Sequence, residues 1–82
     1  MTFIEKLSLL IKQKGMSRKR FAEEVGMPYS TIDNWYKRGY ENMSVSSLRT
    51  ICQYFNVTME SMIYDDKDIA FVTNKQLNLG PH

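Results

Sequence analysis

Apolar residues recur at helical spacing through most of the chain, and small polar residues or glycines separate the segments. Phe3, Leu7 and Leu10 lie three or four positions apart, which is the spacing of one helix face. Gly15 follows at a position where a helix would end in the left-handed conformation. The pattern therefore predicts a first helix over residues 2–14.

Two shorter helices are predicted next, joined around Gly26. Ser17 is a suitable N-cap for a helix that stops at this glycine about eight residues later. Pro28 suits the first turn of a third helix, because proline has no N–H group to leave unpaired there. This third helix is predicted to run over residues 28–37, with Gly39 closing it.

Two further helices and a different pattern follow. Ser46 is predicted to cap a fourth helix that ends at Asn56, and Thr58 to cap a short fifth helix. After the acidic run at residues 65–68, apolar residues fall on odd positions, an alternation closer to a strand than to a helix. These residues are Ile69, Phe71, Leu77 and Leu79.

The third predicted helix separates its polar residues from its apolar ones. At about 100° per residue, Ile32 and Trp35 lie on one side, together with Pro28. Five polar residues fall within an arc of roughly 140° on the opposite side. They are Tyr29, Ser30, Asp33, Asn34 and Lys37. One face is suited to burial and the other to contact with a ligand.

The second and third helices show the spacing of a helix-turn-helix motif. A small residue, Ala22, allows the two helix axes to approach each other. Gly26 supplies a positive φ in a very tight connection, and Ile32 fills the angle between the helices. In proteins with this motif the second helix lies in the major groove of DNA.

Composition limits the alternatives. A chain of 82 residues with 43% hydrophobic content has the composition of a single domain with a small core. No apolar stretch approaches the roughly 18 residues needed to span a bilayer. The first residues lack the basic head and cleavage site of a signal peptide, so we expect a cytoplasmic protein without membrane contact.

Catalytic and metal-binding chemistry have almost no residues to draw on. The sequence has one cysteine, Cys52, and one histidine, His82, so no ligand cluster is expected. Cys52 is interpreted as a thiol of the core. The acidic run at residues 65–68 lacks the glycine and glutamate of a calcium loop. No nucleophile, base and phosphate-binding loop occur together, so we expect neither an enzyme nor a cofactor.

Charge is unevenly distributed along the chain. Residues 1–39 carry eight Lys and Arg against four Asp and Glu, whereas residues 40–82 carry three against five. A basic N-terminal half is what contact with a phosphate backbone requires. Charge alone does not require such contact, since an ordinary solvated surface gives the same distribution and is the interpretation that charge by itself favours.

The chain resembles the Cro/CI-type helix-turn-helix domains of phage repressors and of the Xre family, which are lambda-repressor-like. The resemblance lies in "GMSRKRFAEEVGMPYSTIDNWYKRG" and "SVSSLRTICQYFNVTMESMI". It implies an all-α, compact five-helix DNA-binding domain over residues 1–65, followed by a short C-terminal extension over residues 66–82. It also implies a homodimer that binds a near-palindromic operator, and hence a transcriptional regulator, expected to be a repressor associated with the nucleoid.

Contacts to DNA bases are expected from the polar face of the third helix. Asn34 can pair bidentately with adenine, Ser30 can donate or accept, and the ring of Tyr29 can lie on a thymine methyl group. The resemblance implies base contact at the same positions. Asp33 completes the candidate set. Phosphates repel a carboxylate unless it accepts a hydrogen bond from cytosine N4 or pairs with a neighbouring cation. We expect an ion pair.

Phosphate contacts are expected on both sides of this helix. Arg18 and Lys19 lie in the first turn of the second helix, where side-chain charge and free N–H groups can meet one phosphate. The full candidate set is Arg18, Lys19, Arg20, Lys37, Arg38, Tyr40, Asn42 and Ser44. About four contacts per subunit would give a dimer a log–log salt slope of roughly −7.

A dimer surface is expected at the fifth helix, around Met59, Met62 and Tyr64, together with the tail from Ile69 to Leu79. The tail could instead cover its own domain. An alternative function is a protein-interaction module with the same fold, such as an antitoxin or a regulator controlled by an antirepressor. A protein antagonist would then be a partner besides operator DNA.

Overall fold

A computed structural model describes residues 1–72 of the chain. It contains five helices: α1 (Phe3–Gln13), α2 (Arg18–Val25), α3 (Tyr29–Arg38), α4 (Val45–Phe55) and α5 (Met59–Ile63). The described residues form no strand, and their only β pairing is an isolated antiparallel bridge between Val57 and Phe71. The predicted all-α architecture of five helices is confirmed.

The first helix begins at a reciprocal cap. The Thr2 hydroxyl accepts from the Glu5 N–H at 3.3 Å, and the Glu5 carboxylate accepts from the Thr2 N–H at 2.8 Å. This last bond holds the pKa of Glu5 below its ordinary value. Two backbone donors that α1 would otherwise leave unpaired are thereby satisfied.

Two predicted helix starts were wrong by one or two residues. The N-cap of α4 is Ser44, whose hydroxyl accepts from the Ser47 N–H at 3.1 Å, so Ser46 lies within the first turn. Ser44, Ser46 and Ser47 are all of a residue type that can cap a helix. The extended backbone at Ser44 makes this residue the N-cap. Pro28 has extended backbone (φ −61°, ψ 137°) and is the N-cap of α3, so that helix starts one residue later, at Tyr29.

The core lies where all five helices meet. Its buried hydrophobic residues come from every helix and from the α4–α5 connection. They are Phe3, Leu7, Leu10, Ile11, Phe21, Ala22, Ile32, Trp35, Ile51, Cys52, Phe55, Val57 and Met62. Phe21 stacks on Phe55 with ring centroids 5.3 Å apart, which joins α2 to α4.

Cys52 is confirmed as a core thiol. Its side chain is buried, and this burial raises the pKa of the thiol to about 11. Because the thiolate is the reactive form, the cysteine is chemically inert in the folded domain at neutral pH.

One charged side chain lies in the core, and the sequence pattern did not predict it. Lys6 on α1 is only 1% exposed. Its Nζ donates to the carbonyl oxygens of Ser61 at 2.6 Å and Tyr64 at 2.7 Å. These carbonyls lie at the C-terminal end of α5, where backbone acceptors have no partner within the helix. Lys6 therefore ties α5 to α1 and adds no surface charge for a ligand.

The start of the tail packs on its own domain. Thr58 donates its N–H to the Ala70 carbonyl at 2.9 Å, and Val72 donates to the Asn56 carbonyl at 2.8 Å. Ile69 is partly buried against the core. Of the predicted strand-like tail, the described residues show one short extended pairing, between Val57 and Phe71. Leu77 and Leu79 lie outside the described residues.

The expected contribution of Met62 to a dimer surface was wrong. Met62 is completely buried, whereas its neighbours Ile63 and Tyr64 are 46% and 52% exposed. The helix is one turn and a half long, so contact with α1 and α4 fixes which side is buried.

Replacing Lys6 by methionine tests how much the buried ammonium group contributes to the stability of the fold. Methionine keeps the aliphatic stem but leaves the Ser61 and Tyr64 carbonyls without a charged donor, so we expect a loss of about 2–3 kcal/mol in unfolding free energy. Urea denaturation followed by circular dichroism measures it. Lys67→Met, at an exposed lysine, is the control and should cost under about 0.5 kcal/mol. Equal stability of the two variants would contradict this role.

Candidate nucleic-acid interface

The connection between α2 and α3 depends on the conformation of Gly26. This residue caps α2 with φ 72° and ψ 30°, and its N–H points to the carbonyls of Ala22 and Glu23. Met27 also donates to the Ala22 carbonyl, at 2.9 Å. Apart from Gly26 itself and its two chain neighbours, no atom of the described residues lies within 4 Å of the position that a Cβ would take, so it is the left-handed backbone that requires glycine there.

Two apolar side chains fix the rotation of α3 about its axis. Ile32 is completely buried and Trp35 is 6% exposed. The Trp35 ring meets the Phe3 ring edge to face, with centroids 6.5 Å apart. The opposite side of the helix is therefore turned to the outside, as predicted. We call this side the reading face; it comprises Tyr29, Ser30, Asp33, Asn34 and Lys37.

The expected ion pair of Asp33 is confirmed. Its carboxylate lies 2.8 Å from the Lys37 Nζ, one turn further along α3. The hydrogen bond to Asp33 raises the pKa of Lys37, and the negative charge of Asp33 adds to the effect. The carboxylate is thus largely compensated by a cation of the same face, which reduces its repulsion of phosphates.

Arg18 is held against α3 by an aromatic ring. Its guanidinium carbon lies 4.2 Å from the ring centre of Tyr36, and the Tyr36 hydroxyl shares a hydrogen bond of 2.8 Å with the Ser8 hydroxyl on α1. The positive charge of Arg18 also acts to lower the pKa of Lys37. Arg18 therefore lies beside the reading face.

The first turn of α2 supplies backbone donors next to this arginine. The Ser17 hydroxyl caps the helix by accepting from the Arg20 N–H at 3.1 Å. The N–H groups of Arg18 and Lys19 precede that bond, where a helix has no internal acceptor for them. Both side chains are exposed. The turn thus combines two cations with the positive end of a helix dipole.

Arg20 lies on another flank of α2. Its Nε is 3.1 Å from a Glu24 carboxylate oxygen, and the Tyr54 hydroxyl of α4 donates to the other oxygen at 3.4 Å. Burial raises the pKa of Tyr54, and the negative charge of Glu24 and this hydrogen bond add to the effect. The structure brings Arg20 together with α4, whereas Arg18 lies against α3.

The remaining predicted positions follow α3. Asn34, Arg38 and Asn42 line one surface groove beside Trp35, so a candidate base contact and two candidate phosphate contacts lie side by side. Tyr40 is half-buried, and its ring packs against Phe3 with centroids 5.1 Å apart. The Ser44 hydroxyl is engaged in capping α4. These last two residues thus also have structural roles.

Three residues at this surface were missed from the sequence. Ser8, Lys12 and Tyr36 line a groove together with Arg18. Ser8 and Lys12 are one helical turn apart on α1, and that spacing is the only signal the sequence offered. Their approach to α2 and α3 depends on how the three helices pack.

No group of three or more His, Cys, Asp and Glu residues within residues 1–72 could hold a metal ion. No helix in this part of the chain is long and apolar enough to cross a membrane.

Comparison with known families agrees with this geometry. Residues 6–68 match the Cro/C1-type helix-turn-helix DNA-binding domain, which covers all of α2 to α5 and most of α1. Neither a curated protein nor a solved structure matches the chain. The protein belongs to the Cro/C1-type helix-turn-helix family of DNA-binding domains, as the sequence resemblance implied.

Substituting Asp33 tests the electrostatics of the reading face. Asp33→Asn removes the charge and weakens the hydrogen bond that raise the pKa of Lys37, so this pKa should fall towards its ordinary value. A pH titration of the Lys37 side-chain resonances by NMR measures the shift. Glu23→Gln, at an exposed carboxylate of α2, should leave the pKa of Lys37 unchanged. A pKa of Lys37 that stays raised in Asp33→Asn would contradict the assigned cause.

Proposed function

We propose that the protein is a sequence-specific transcriptional regulator that represses genes by binding double-stranded DNA. A homodimer places the α3 helix of each subunit in the major groove of a near-palindromic operator. The two helices are about 34 Å apart, the length of one turn of DNA. The protein acts on the nucleoid in the cytoplasm.

The observation that carries this proposal is the orientation of α3. Its apolar side is held in the core by Ile32 and Trp35, and its polar side is presented outward on a rigid element. A helix that reads base edges needs both properties, because a side chain displaced by a fraction of an ångström loses bidentate geometry. Membership of a DNA-binding family supports the same conclusion.

Base contacts come from the exposed residues of the reading face. Asn34 recognises adenine through N6 and N7, and Ser30 donates to or accepts from a neighbouring base edge. The Tyr29 ring, 41% exposed, lies on a thymine methyl group. Asp33 stays paired with Lys37 and either accepts from cytosine N4 or only positions that lysine.

Phosphate contacts lie on both sides of the reading face. Arg18 and Lys19 of α2 bind one phosphate backbone through side chains and helix N–H groups. Lys37 and Arg38, at the C-terminal end of α3, bind further phosphates. The complete proposed set is Arg18, Lys19, Arg20, Lys37, Arg38, Tyr40, Asn42 and Ser44. These contacts supply most of the affinity and make it dependent on salt.

Two substitutions separate base reading from phosphate binding. Asn34→Ala should lose about 1–3 kcal/mol on the preferred operator and relax the preference at one base position. Arg18→Ala should weaken binding to all sequences alike and reduce the salt slope by about 0.9 per subunit. Selection of bound fragments from random DNA provides the operator, and anisotropy titrations at several salt concentrations provide the affinities.

Gln53→Ala, at an exposed position of α4, is the matched control and should bind as the unaltered protein does. A salt slope near zero for the unaltered protein would contradict the electrostatic part of the proposal. An Asn34→Ala variant that keeps the full base preference would contradict the role of the reading face. Binding to another protein in the absence of DNA binding would favour an interaction module.

The homodimer contact is proposed at the exposed side of α5. Ile63 and Tyr64 are about half exposed, and Phe71 is 54% exposed on the tail segment that pairs with Val57. We propose that these exposed apolar side chains are covered by the second subunit. A second copy supplies the symmetric partner that a near-palindromic operator demands.

Ile63→Lys tests this contact. A charged side chain at the centre of the proposed interface should shift the protein from dimer to monomer in sedimentation equilibrium, because the lysine would be desolvated without a partner. Gln53→Lys introduces the same side chain at an exposed α4 position and should remain a dimer. A dimer of unchanged stability in Ile63→Lys would exclude this surface.

A further inference from the structure

A groove beside the reading face has the properties of a second phosphate site. It is lined by Ser8 and Lys12 of α1, Arg18 of α2 and Tyr36 of α3, with apolar contributions from the α1–α2 connection. We propose that this groove binds a phosphate group of the DNA backbone, with Lys12 as a direct contact and Tyr36 as the residue that positions Arg18. This inference rests on the proposed function and deepens it.

The charge of the groove is uncompensated. Its lining contains no carboxylate, and within residues 1–72 neither Lys12 nor Arg18 forms an ion pair. The neighbouring groove around Lys14 and Arg20 differs, because it contains Glu24, which pairs with the arginine at 3.1 Å. Two cations with two hydroxyl groups and no acid match the chemistry of a phosphate diester.

The position of the groove matches the geometry of a bound duplex. On the α3 helical wheel, Tyr36 lies about 20° beyond Tyr29, just outside one edge of the reading face. At the opposite edge, Asn34 and Arg38 line the groove that includes Asn42. A helix in the major groove has one phosphate backbone on each side. The two grooves therefore lie where the two backbones would pass.

Tyr36 restricts Arg18 without occupying its donors. The guanidinium lies over the ring face, 4.2 Å from its centre, and a stacked guanidinium keeps its edge N–H groups available for hydrogen bonds. The hydroxyl of Tyr36 is in turn held by Ser8 at 2.8 Å. Restricting a long side chain before binding lowers the entropy lost on contact with phosphate.

The first experiment changes Lys12. Lys12→Gln is titrated against a fluorescein-labelled duplex of mixed sequence over a series of salt concentrations, beside Lys67→Gln as a control with the same change in charge. We expect the log–log salt slope to become less steep by about 0.9 per subunit in Lys12→Gln and to stay unchanged in Lys67→Gln. Equal slopes in the two variants would overturn the contact.

The second experiment changes Tyr36. Tyr36→Leu removes the ring and should weaken binding of the same duplex at a fixed salt concentration, whereas Tyr36→Phe keeps the ring and should retain the affinity. In an Arg18→Ala background, Tyr36→Leu should weaken binding no further, since the ring acts through the arginine. Circular dichroism verifies that each variant is folded. An equal effect of Tyr36→Leu with and without Arg18 would overturn the positioning role.

The outcomes separate this inference from the proposed function. Salt-dependent DNA binding that responds to Asn34→Ala but not to Lys12→Gln or Tyr36→Leu would overturn the second phosphate site alone. Absence of DNA binding by the unaltered protein would overturn both.

Discussion

The rotation of α3 about its own axis is the constraint on which the interface depends. Successive residues of a helix are about 100° apart, so a rotation by one residue position would bring Ile32 and Pro28 to the outer side in place of Asn34 and Lys37. The burial of Ile32 and the burial of Trp35 each contribute about 2–3 kcal/mol, whereas the solvent-screened ion pair between Asp33 and Lys37 contributes far less. The core, and not the surface charges, therefore sets which face of α3 is presented.

The surface that surrounds this face is assembled from three helices. The left-handed backbone at Gly26 brings α2 against α3, and the hydroxyl of Ser8 connects α1 to Tyr36 on α3. Arg18 lies over that ring. The arginine is thereby positioned by a ring of α3 that is itself held by α1. A change in packing at α1 would be transmitted to the charged groups beside the reading face.

The cations of the N-terminal half differ in burial and in ion pairing. Lys6 is in the core, where its ammonium donates to two carbonyls of the α5 end. Arg20 and Lys37 have carboxylate partners within hydrogen-bonding distance. Lys12 and Arg18 have no ion-pair partner among residues 1–72, and they line one groove. The groove of Lys12 and Arg18 therefore carries positive charge without a carboxylate in its lining.

The sequence by itself determined the number and order of the helices, the glycine turn between α2 and α3, and the two polar and apolar sides of α3. Each of these is set within one or two turns of chain, by hydrophobic spacing, caps and positive φ. Only the tertiary structure decided that Lys6 is buried, that Met62 rather than Ile63 faces the core, and that Arg18 lies on Tyr36. Lys6 meets acceptors 55 and 58 residues away, and local periodicity carries no information about such distant partners.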